Sequence, residues 1–600
     1  KQGDRIVRQL AQIINSFEQS GNPILLRFDT IEKIDPDVQD IMALFISLLD
    51  KAFVICSGRQ EPQAIAFQHK LNSYLSPKKR LTTIPLLPFS EAAQKEYLIE
   101  TEKEYRIKLS QEDVDLLLNL SGGRPILIDL AIEYFARVPG ESLHFESSSK
   151  TKKDTGLFDK PEGNKRTLKQ EFEYRLVNFV TTISGDMERL IRVLSRVYPL
   201  SVQRISYMLK ISETTAHMLF REAQTYVFIK SIKNSKGLVN ITLHDEMRRM
   251  VMAYVWSEID HSFERRKRDS KRAREMYDAE DQDLRERLNE LKKLIKEPHS
   301  RETYSEYLTL RREREISTEE RLRHALYADF SDGFDEWQII INKIRFGKKY
   351  SFISHLCRLV YPYVTQTNDR LLDIPVGFQI TEQEIYNYNF IKARSNQDLG
   401  KFKNAEDSYL DLLDEAKKIG NIERERQIAN MLGVLKRDQG QYEDALKYQH
   451  QCLTLLAKND YWAIANVENS IGYIYLLQKD QDRKYLKSAQ IHFKNARQSA
   501  YMANQSASPT QKNNIKNLIA AIKNNLGYIH SRNGEFNKAE TYCKDAVEIW
   551  EEIEQTVGIA WAKINLGVLA RDLRQYQHSI QRLKEAITLL LGCCEFKFDK

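Results

Sequence analysis

The last third of the chain repeats itself in phase. A glycine recurs in Leu432-Gly433-Val434, Ile471-Gly472-Tyr473, Leu526-Gly527-Tyr528 and Leu566-Gly567-Val568. The intervals are 39, 55 and 40 residues, so one unit carries an insertion, which the polar stretch Ala503 to Asn514 fits. Seven residues after the glycine a reversal is expected; Gly440 and Gly534 occupy it, Arg574 less well. An aromatic follows (Tyr442, Phe536, Tyr576), then a small residue (Ala445, Ala539, Ser579). An earlier copy has Ala393, Gly400, Phe402 and Ala405. Small residues let two helices approach closely, the turn glycine permits the reversal, and the aromatic plugs the gap between neighbouring pairs. An irregular helical bundle would have no reason to keep such a phase.

The pattern resembles tetratricopeptide repeats, in units of about 40 residues rather than the 34-residue form. That resemblance implies a solenoid with a concave surface for a protein or peptide. Tyr327 to Val360 also reads as helical and is expected to begin the array in degenerate form. His450, His492, His530 and His578 lack metal-ligand spacing, and Cys452 and Cys543 are expected in the core.

Composition bounds the rest. Six hundred residues suggest about four domains. Apolar residues make 42% and charged residues 29%, which excludes wholesale disorder. Gly 23 and Pro 14 are few for this length, favouring long helices and excluding all-β and collagen-like folds. A net charge of +7 is mild and neither demands nor excludes nucleic acid. The longest apolar stretch, Ile41 to Cys56, is broken by Asp50 and Lys51, so no membrane span is expected. No signal peptide opens the chain, and the six cysteines form no CxxC pair, which points to a reduced, cytoplasmic setting. Beginning at Lys1, the chain is expected to be a piece of something longer.

In the first third, apolar runs alternate with helical periodicity. Ile6 to Phe17 reads as a helix, Ile24 to Phe28 as a buried strand ending in Asp29, Gln39 to Leu49 as a helix, Ala52 to Cys56 as a second buried strand, and Leu81 to Leu87 as a third. This order predicts a parallel α/β sheet, with functional residues at the carboxyl ends of its strands. Asp29 could bind hydrated Mg²⁺, Glu32 could orient an attacking water, and Arg59 could meet a γ-phosphate. A common turn residue after the strand is the plainer explanation of Asp29 taken alone. Farther on, Gly122-Gly123 closes one helix and Pro125 opens the next.

The order ILLRFDTIE, FVICSGR, LTTIPLLPFS, LSGGRPILIDLA resembles the second half of a STAND-class NTPase, the signalling branch of the AAA+ ATPases. The resemblance implies that Asp29 is the Walker B magnesium residue, that Arg59 belongs to sensor 1, and that Gly123-Arg124-Pro125 lies against an adenine. Two departures stand out. Thr30 occupies the position of the usual second acid, and no G-x-x-x-x-G-K-[ST] occurs in the chain.

Met187 to Val197, Val202 to Leu209 and Glu213 to Thr225 read as three helices, followed by a hairpin of Tyr226 to Ile232 and Leu238 to Leu243. This predicts a winged helix. Ser212 to Gln224, the would-be recognition helix, is slightly acidic, which argues against DNA reading. Leu243-His244-Asp245 resembles the MHD motif of STAND proteins, which implies that His244 touches the β-phosphate of ADP in the resting form.

Ser257 to Arg323 is densely charged, with Arg265-Arg266-Lys267-Arg268 and Lys271-Arg272-Ala273-Arg274. It is expected to be long helix with a solvated face of i,i+4 pairs; a nucleic-acid patch is the sharper alternative.

The expected organisation is a partial α/β NTPase core over 1–90, a helical subdomain over 91–185, a winged helix over 186–256, a charged connector over 257–325 and an all-α repeat solenoid over 326–600. Together with the resemblance this implies an ATP/ADP- and Mg²⁺-dependent switch. Its repeats would sense a protein ligand and trigger homo-oligomerisation, with a role in antiviral defence. A transcription regulator of the maltose-activator type and a non-hydrolysing scaffold are the alternatives.

Overall fold

A computed structural model of the chain describes residues 8–12, 14–15, 25–28, 36–49, 52–57, 62–75, 81–82, 88–137, 167–181, 185–233, 237–294, 301–346, 350–365, 378–478 and 483–593. The chain divides into two compact units, one of residues 1–100 and 117–125, the other of residues 101–116 and 126–600.

In the first unit β1 (Leu25–Phe28) pairs in parallel with β2 (Phe53–Cys56), Leu25 opposite Phe53 and Phe28 opposite Cys56. The Ser57 N–H donates to the Phe28 carbonyl at 2.8 Å. The linking helix α1 (Pro36–Leu48) and the following α2 (Pro62–Tyr74) cover one face, with Ala43, Ile46, Phe67 and Leu71 packed beside Phe28 and Val54. The parallel pairing is the predicted one. The burial differs: Phe53, Leu25 and Ile55 are exposed, because among the described residues helices cover only the opposite face. The predicted third strand falls mostly outside the described residues.

Helices α3 (Glu91–Tyr105), α4 (Gln111–Ser121), α5 (Pro125–Arg137) and α6 (Leu168–Thr181) follow. Then come α7 (Gly185–Leu194), α8 (Val202–Leu209) and α9 (Glu213–Ala223). Ser201 and Ser212 cap the last two, each hydroxyl accepting an N–H of the first turn. The hairpin of β3 (Ile229–Lys233) and β4 (Val239–Leu243) is antiparallel, and Leu200 bridges Ile241 on its other edge. Met187, Leu190, Ile205, Ala216, Phe228 and Ile241 are buried. Strand β3 starts three residues later than the sequence predicts. The Val227 N–H goes to Glu133 at 3.2 Å instead of to a ladder, and Tyr226 lies under the Arg137 guanidinium, 4.1 Å from its ring centre. The exposed side of α9 carries Glu213, His217, Met218, Arg221 and Glu222, a single arginine among two acids.

After α10 (Asp245–Met250) a π-turn over Val251–Val255 leads into α11 (Trp256–Ile259). The charged connector is a helical hairpin rather than one long helix: α12 (Glu264–Leu294) packs on α13 (Arg301–Ala328) through Leu284, Leu288, Tyr307 and Leu310. Its charges therefore pair across helices as well as along them. Arg314 reaches Asp281 at 2.9 Å, Arg321 reaches Asp278 at 2.8 Å, and Arg204 of α8 grips Glu280 through two bonds. Arg266, from the basic run, is buried against Asp260.

The solenoid begins with α14 (Phe330–Phe346) and α15 (Tyr350–Thr365), whose Phe334, Trp337, Leu356 and Val360 share one core with Leu322 before and Tyr388 after. Burial of each such side chain stabilises by about 1.5–3 kcal/mol. Five helix pairs follow: α16 (Glu382–Asp398) with α17 (Phe402–Lys418), α18 (Ile422–Asp438) with α19 (Tyr442–Thr454), α20 (Tyr461–Leu477) with α21 (Arg483–Ser506), α22 (Pro509–Arg532) with α23 (Phe536–Glu552), and α24 (Thr556–Asp572) with α25 (Tyr576–Cys593). The turn glycines Gly400, Gly440 and Gly534 have φ of +77°, +79° and +79°. Ala393, Ala405, Ala445 and Ala539 are buried. The expected polar insertion is largely helical. It lengthens α21 and α22 to 24 residues each, against 17 for α20, and buries Ala503, Ile515, Leu518 and Ile519 between them.

Candidate functional site

Among the residues singled out by sequence, Asp29, Glu32 and Arg59 lie outside the described residues. Gly123, Pro125 and His244 are described, in two different surroundings.

Helix α4 ends in Gly122 and Gly123, with φ of +56° and +73°. At Gly123 a Cβ would lie 2.6 Å from the Phe89 carbonyl oxygen and 2.7 Å from the Pro88 Cβ. Only glycine admits that approach, and the Phe89 N–H donates to the Gly123 carbonyl at 2.9 Å. Gln94 Nε2 donates to the Phe89 carbonyl at 3.0 Å, and the Ser121 hydroxyl to Gln94 Oε1 at 3.0 Å. The tract therefore clamps the segment that leads into α3. Pro125 opens α5, where a missing N–H costs nothing.

His244 ends β4 and caps α10. Its backbone N–H donates to the Phe228 carbonyl at 2.8 Å, and its Nδ1 accepts the Glu246 N–H at 3.4 Å. With Nδ1 an acceptor, a neutral ring carries its proton on Nε2. Asp245 pairs with Arg248, which also donates to Thr242 and the Leu243 carbonyl and stacks on Tyr198. Arg249 fixes the other end of the helix on Glu173 at 2.8 Å.

Glu133 ties this corner to α5. One carboxylate oxygen accepts the Val227 N–H, and the other accepts Arg137. Burial pushes the Glu133 carboxyl up, and Arg137 and the Val227 N–H oppose that rise. Val227 adjoins Phe228, whose carbonyl holds His244. Glu133 is a link that sequence reading missed, because its partner lies 94 residues away.

On the repeats, His492 Nδ1 lies 2.6 Å from Glu468 and its ring stacks on Tyr475, while His530 stacks on Tyr542. Burial pushes the thiols of Cys452 and Cys543 up to about 11 and about 12, as befits core residues. Among the described residues no helix is long and apolar enough to cross a membrane.

Family models described as tetratricopeptide repeat match residues 518–591 and 427–458. No curated protein matches the chain. Among solved structures, BtubC (BKLC) from P. vanneervenii is similar at 17% identity over 43% of this chain and 94% of that one, with a TM-score of 0.29. A Signal Transduction ATPase with Numerous Domains (STAND) protein with a tetratricopeptide repeat sensor, from Pyrococcus horikoshii, is similar at 15% identity over 98% of this chain and 84% of that one, with a TM-score of 0.31. A Rap protein complexed with Competence and Sporulation Factor is similar at 14% identity over 52% and 99%, with a TM-score of 0.29. The repeat phase, the glycine geometry and the two family matches together identify the C-terminal array as tetratricopeptide repeats.

Proposed function

We propose that the chain works in a nucleotide-dependent signalling switch of the STAND type, with the repeats as its sensor. The cofactors would be ATP or ADP with Mg²⁺, which supply the phosphate charge that the switch reads. Asp29 would hold the metal, Glu32 would orient water, Arg59 would meet a terminal phosphate, and Gly123 and Pro125 would line the base. His244 would contribute a ring N–H to a phosphate oxygen, its Nδ1 accepting the Glu246 N–H. Residues 186–256 would act as a winged helix that closes on the nucleotide.

One observation carries the reading: Glu133 and the Phe228 carbonyl fasten the His244 corner to α5, the helix that Pro125 opens. A corner so attached can report the position of that helix. A protein bound to the repeats would favour the open form and then homo-oligomerisation; moving such an equilibrium from 1:99 to 99:1 takes about 5.5 kcal/mol of differential affinity. Antiviral defence is the proposed setting, in the cytoplasm.

The test is binding of a fluorescent ADP analogue to the full chain, with Asp29→Ala and His244→Ala as variants. At least tenfold weaker binding in both is expected. Absent binding, or equal affinity in all three proteins, removes the switch. Thr30, standing where a second acid usually follows, favours a second reading: a scaffold that binds nucleotide without turnover. ATPase activity equal to that of Asp29→Ala would select it.

A further inference from the structure

Five arginines from two helices face one cleft. Arg189 and Arg192 come from α7, and Arg265, Arg268 and Arg272 from α12. Val193, Met208 and Leu209 form its apolar part, and Asp269 is the one carboxylate in its lining. The cleft encloses about 360 Å³, within the usual range of about 300–1,000 Å³ for small-molecule sites.

The charges do not balance within the protein. Arg189 pairs with Asp186 at 2.9 Å and donates to the Leu209 carbonyl, and Arg192 pairs with Glu188 at 2.7 Å. Arg272 gives one N–H to the Met208 carbonyl at 2.6 Å. The side chains of Arg265 and Arg268 donate to no described residue. Asp269 feels Arg192, Arg196, Arg268 and Arg272 together, and burial nevertheless holds its carboxyl above the ordinary range. One carboxylate cannot match three guanidiniums. Arg265 and Arg268 also sit in the first turns of a 31-residue helix, the end where the backbone dipole disfavours cations. Arg266, next in sequence, is satisfied by Asp260 and turned inward, so the unmatched charge is confined to the cleft.

We propose that this cleft binds a small polyphosphate anion. Guanidinium forks take phosphate oxygens two at a time, and converging rows on two helices suit a ligand with several phosphates. The arginines converge on one cleft of limited volume instead of lining a long track, which favours a compact ligand over a nucleic-acid backbone. The site shares no residue with the nucleotide reading above and stands without it.

Inorganic tripolyphosphate is the probe, titrated calorimetrically into the full chain at 150 mM salt (roughly an 8 Å screening length). The variant is R265Q/R268Q, both side chains being exposed, so that folding is kept; K271Q, an exposed neighbour outside the cleft, is the charge control. Binding at one site is expected, at least tenfold weaker in R265Q/R268Q and unchanged in K271Q and in His244→Ala. Besides a loss confined to His244→Ala, three results would each overturn the proposal. They are no binding to the wild-type chain, equal losses in K271Q and R265Q/R268Q, and tighter binding of a 12-nucleotide single strand that the double variant abolishes. The last would assign the arginines to nucleic acid. A loss in His244→Ala alone would place the probe in the nucleotide pocket instead, and the cleft would again be refuted.

Discussion

Asp281 is held from two sides: Arg314 of the facing helix donates to one carboxylate oxygen at 2.9 Å, and Arg285, one turn on, donates to the other at 2.7 Å. Burial works against its charge, but the hydrogen bonds and charges of the two arginines win, and the carboxyl sits below its ordinary range. The pair of bonds locks the register of α12 on α13. Asp281→Ala should lower stability by about 2 kcal/mol, less than the roughly 3–5 kcal/mol for a fully buried pair, because both arginines are partly solvated. Thermal unfolding by circular dichroism at pH 7 checks this. The contribution exists above the unfolded carboxylate range and fades as pH falls through the depressed value, so the gap between the two proteins should close in strong acid.

Gly527 tests the close approach inside a repeat. A Cβ there would meet Cys543 Sγ at 2.6 Å and the Ala539 carbonyl oxygen at 3.2 Å. Overpacking costs about 1–3 kcal/mol, offset by about 1 kcal/mol of helix propensity gained. Gly527→Ala should therefore be destabilising. The same change should cost less in a Cys543→Ala background, where the sulfur is gone. A double-mutant cycle of melting temperatures measures the coupling, and additive effects would contradict the packing account.

Arg574 occupies the repeat's reversal with φ of +63°, where its counterparts Gly440 and Gly534 have +79°. Left-handed backbone costs a side-chain-bearing residue about 1–2 kcal/mol. Part of the gain from glycine is lost to the freer unfolded chain. Arg574→Gly should raise stability by about 0.5 kcal/mol, and Gly534→Ala should lower it by about 1 kcal/mol. Opposite shifts in melting temperature are the check.

His324 is fully buried between Tyr277 and Tyr327, and among the described residues neither ring nitrogen has a hydrogen-bond partner. Burial, with Arg196 and Arg323 nearby, drives its pKa well below the usual histidine value. The folded ring therefore stays neutral while the unfolded one protonates below about pH 6.5. Its contribution is full above that pH and falls as pH drops, by about 1.4 kcal/mol per unit. His324→Phe should remove this part of the slope. Melting temperatures from pH 7 to pH 5 in both proteins would show parallel curves if the argument is wrong.

The repeats were legible because each marker residue has a local reason to exist. Gly440 and Gly534 were readable as reversals from sequence alone, and so was the closeness implied by Gly433 and Gly527. The insertion was legible in place but not in form. Residues 503–514 look polar, but Ala503 and Ile515 continue a helical face that only a partner helix reveals. Gly123 was readable as a helix stop, whereas its contact with Phe89 needed three dimensions. The basic run over 265–268 looked like one solvated face. Its residues part company in the structure, Arg266 going inward to Asp260 and Arg265 and Arg268 to the cleft, and no local pattern encodes that division. His324 carried no signal, since nothing in its neighbourhood of sequence marks it for burial.

The two extra turns shared by α21 and α22 bear on how the array comes apart. In a stack where each helix touches only its neighbours, cooperativity is set joint by joint. The joint between these helices has the longest matched flanks in the array and its own alanine-lined seam. A partner that grips residues on either side of it would meet a stiff splint rather than a spring.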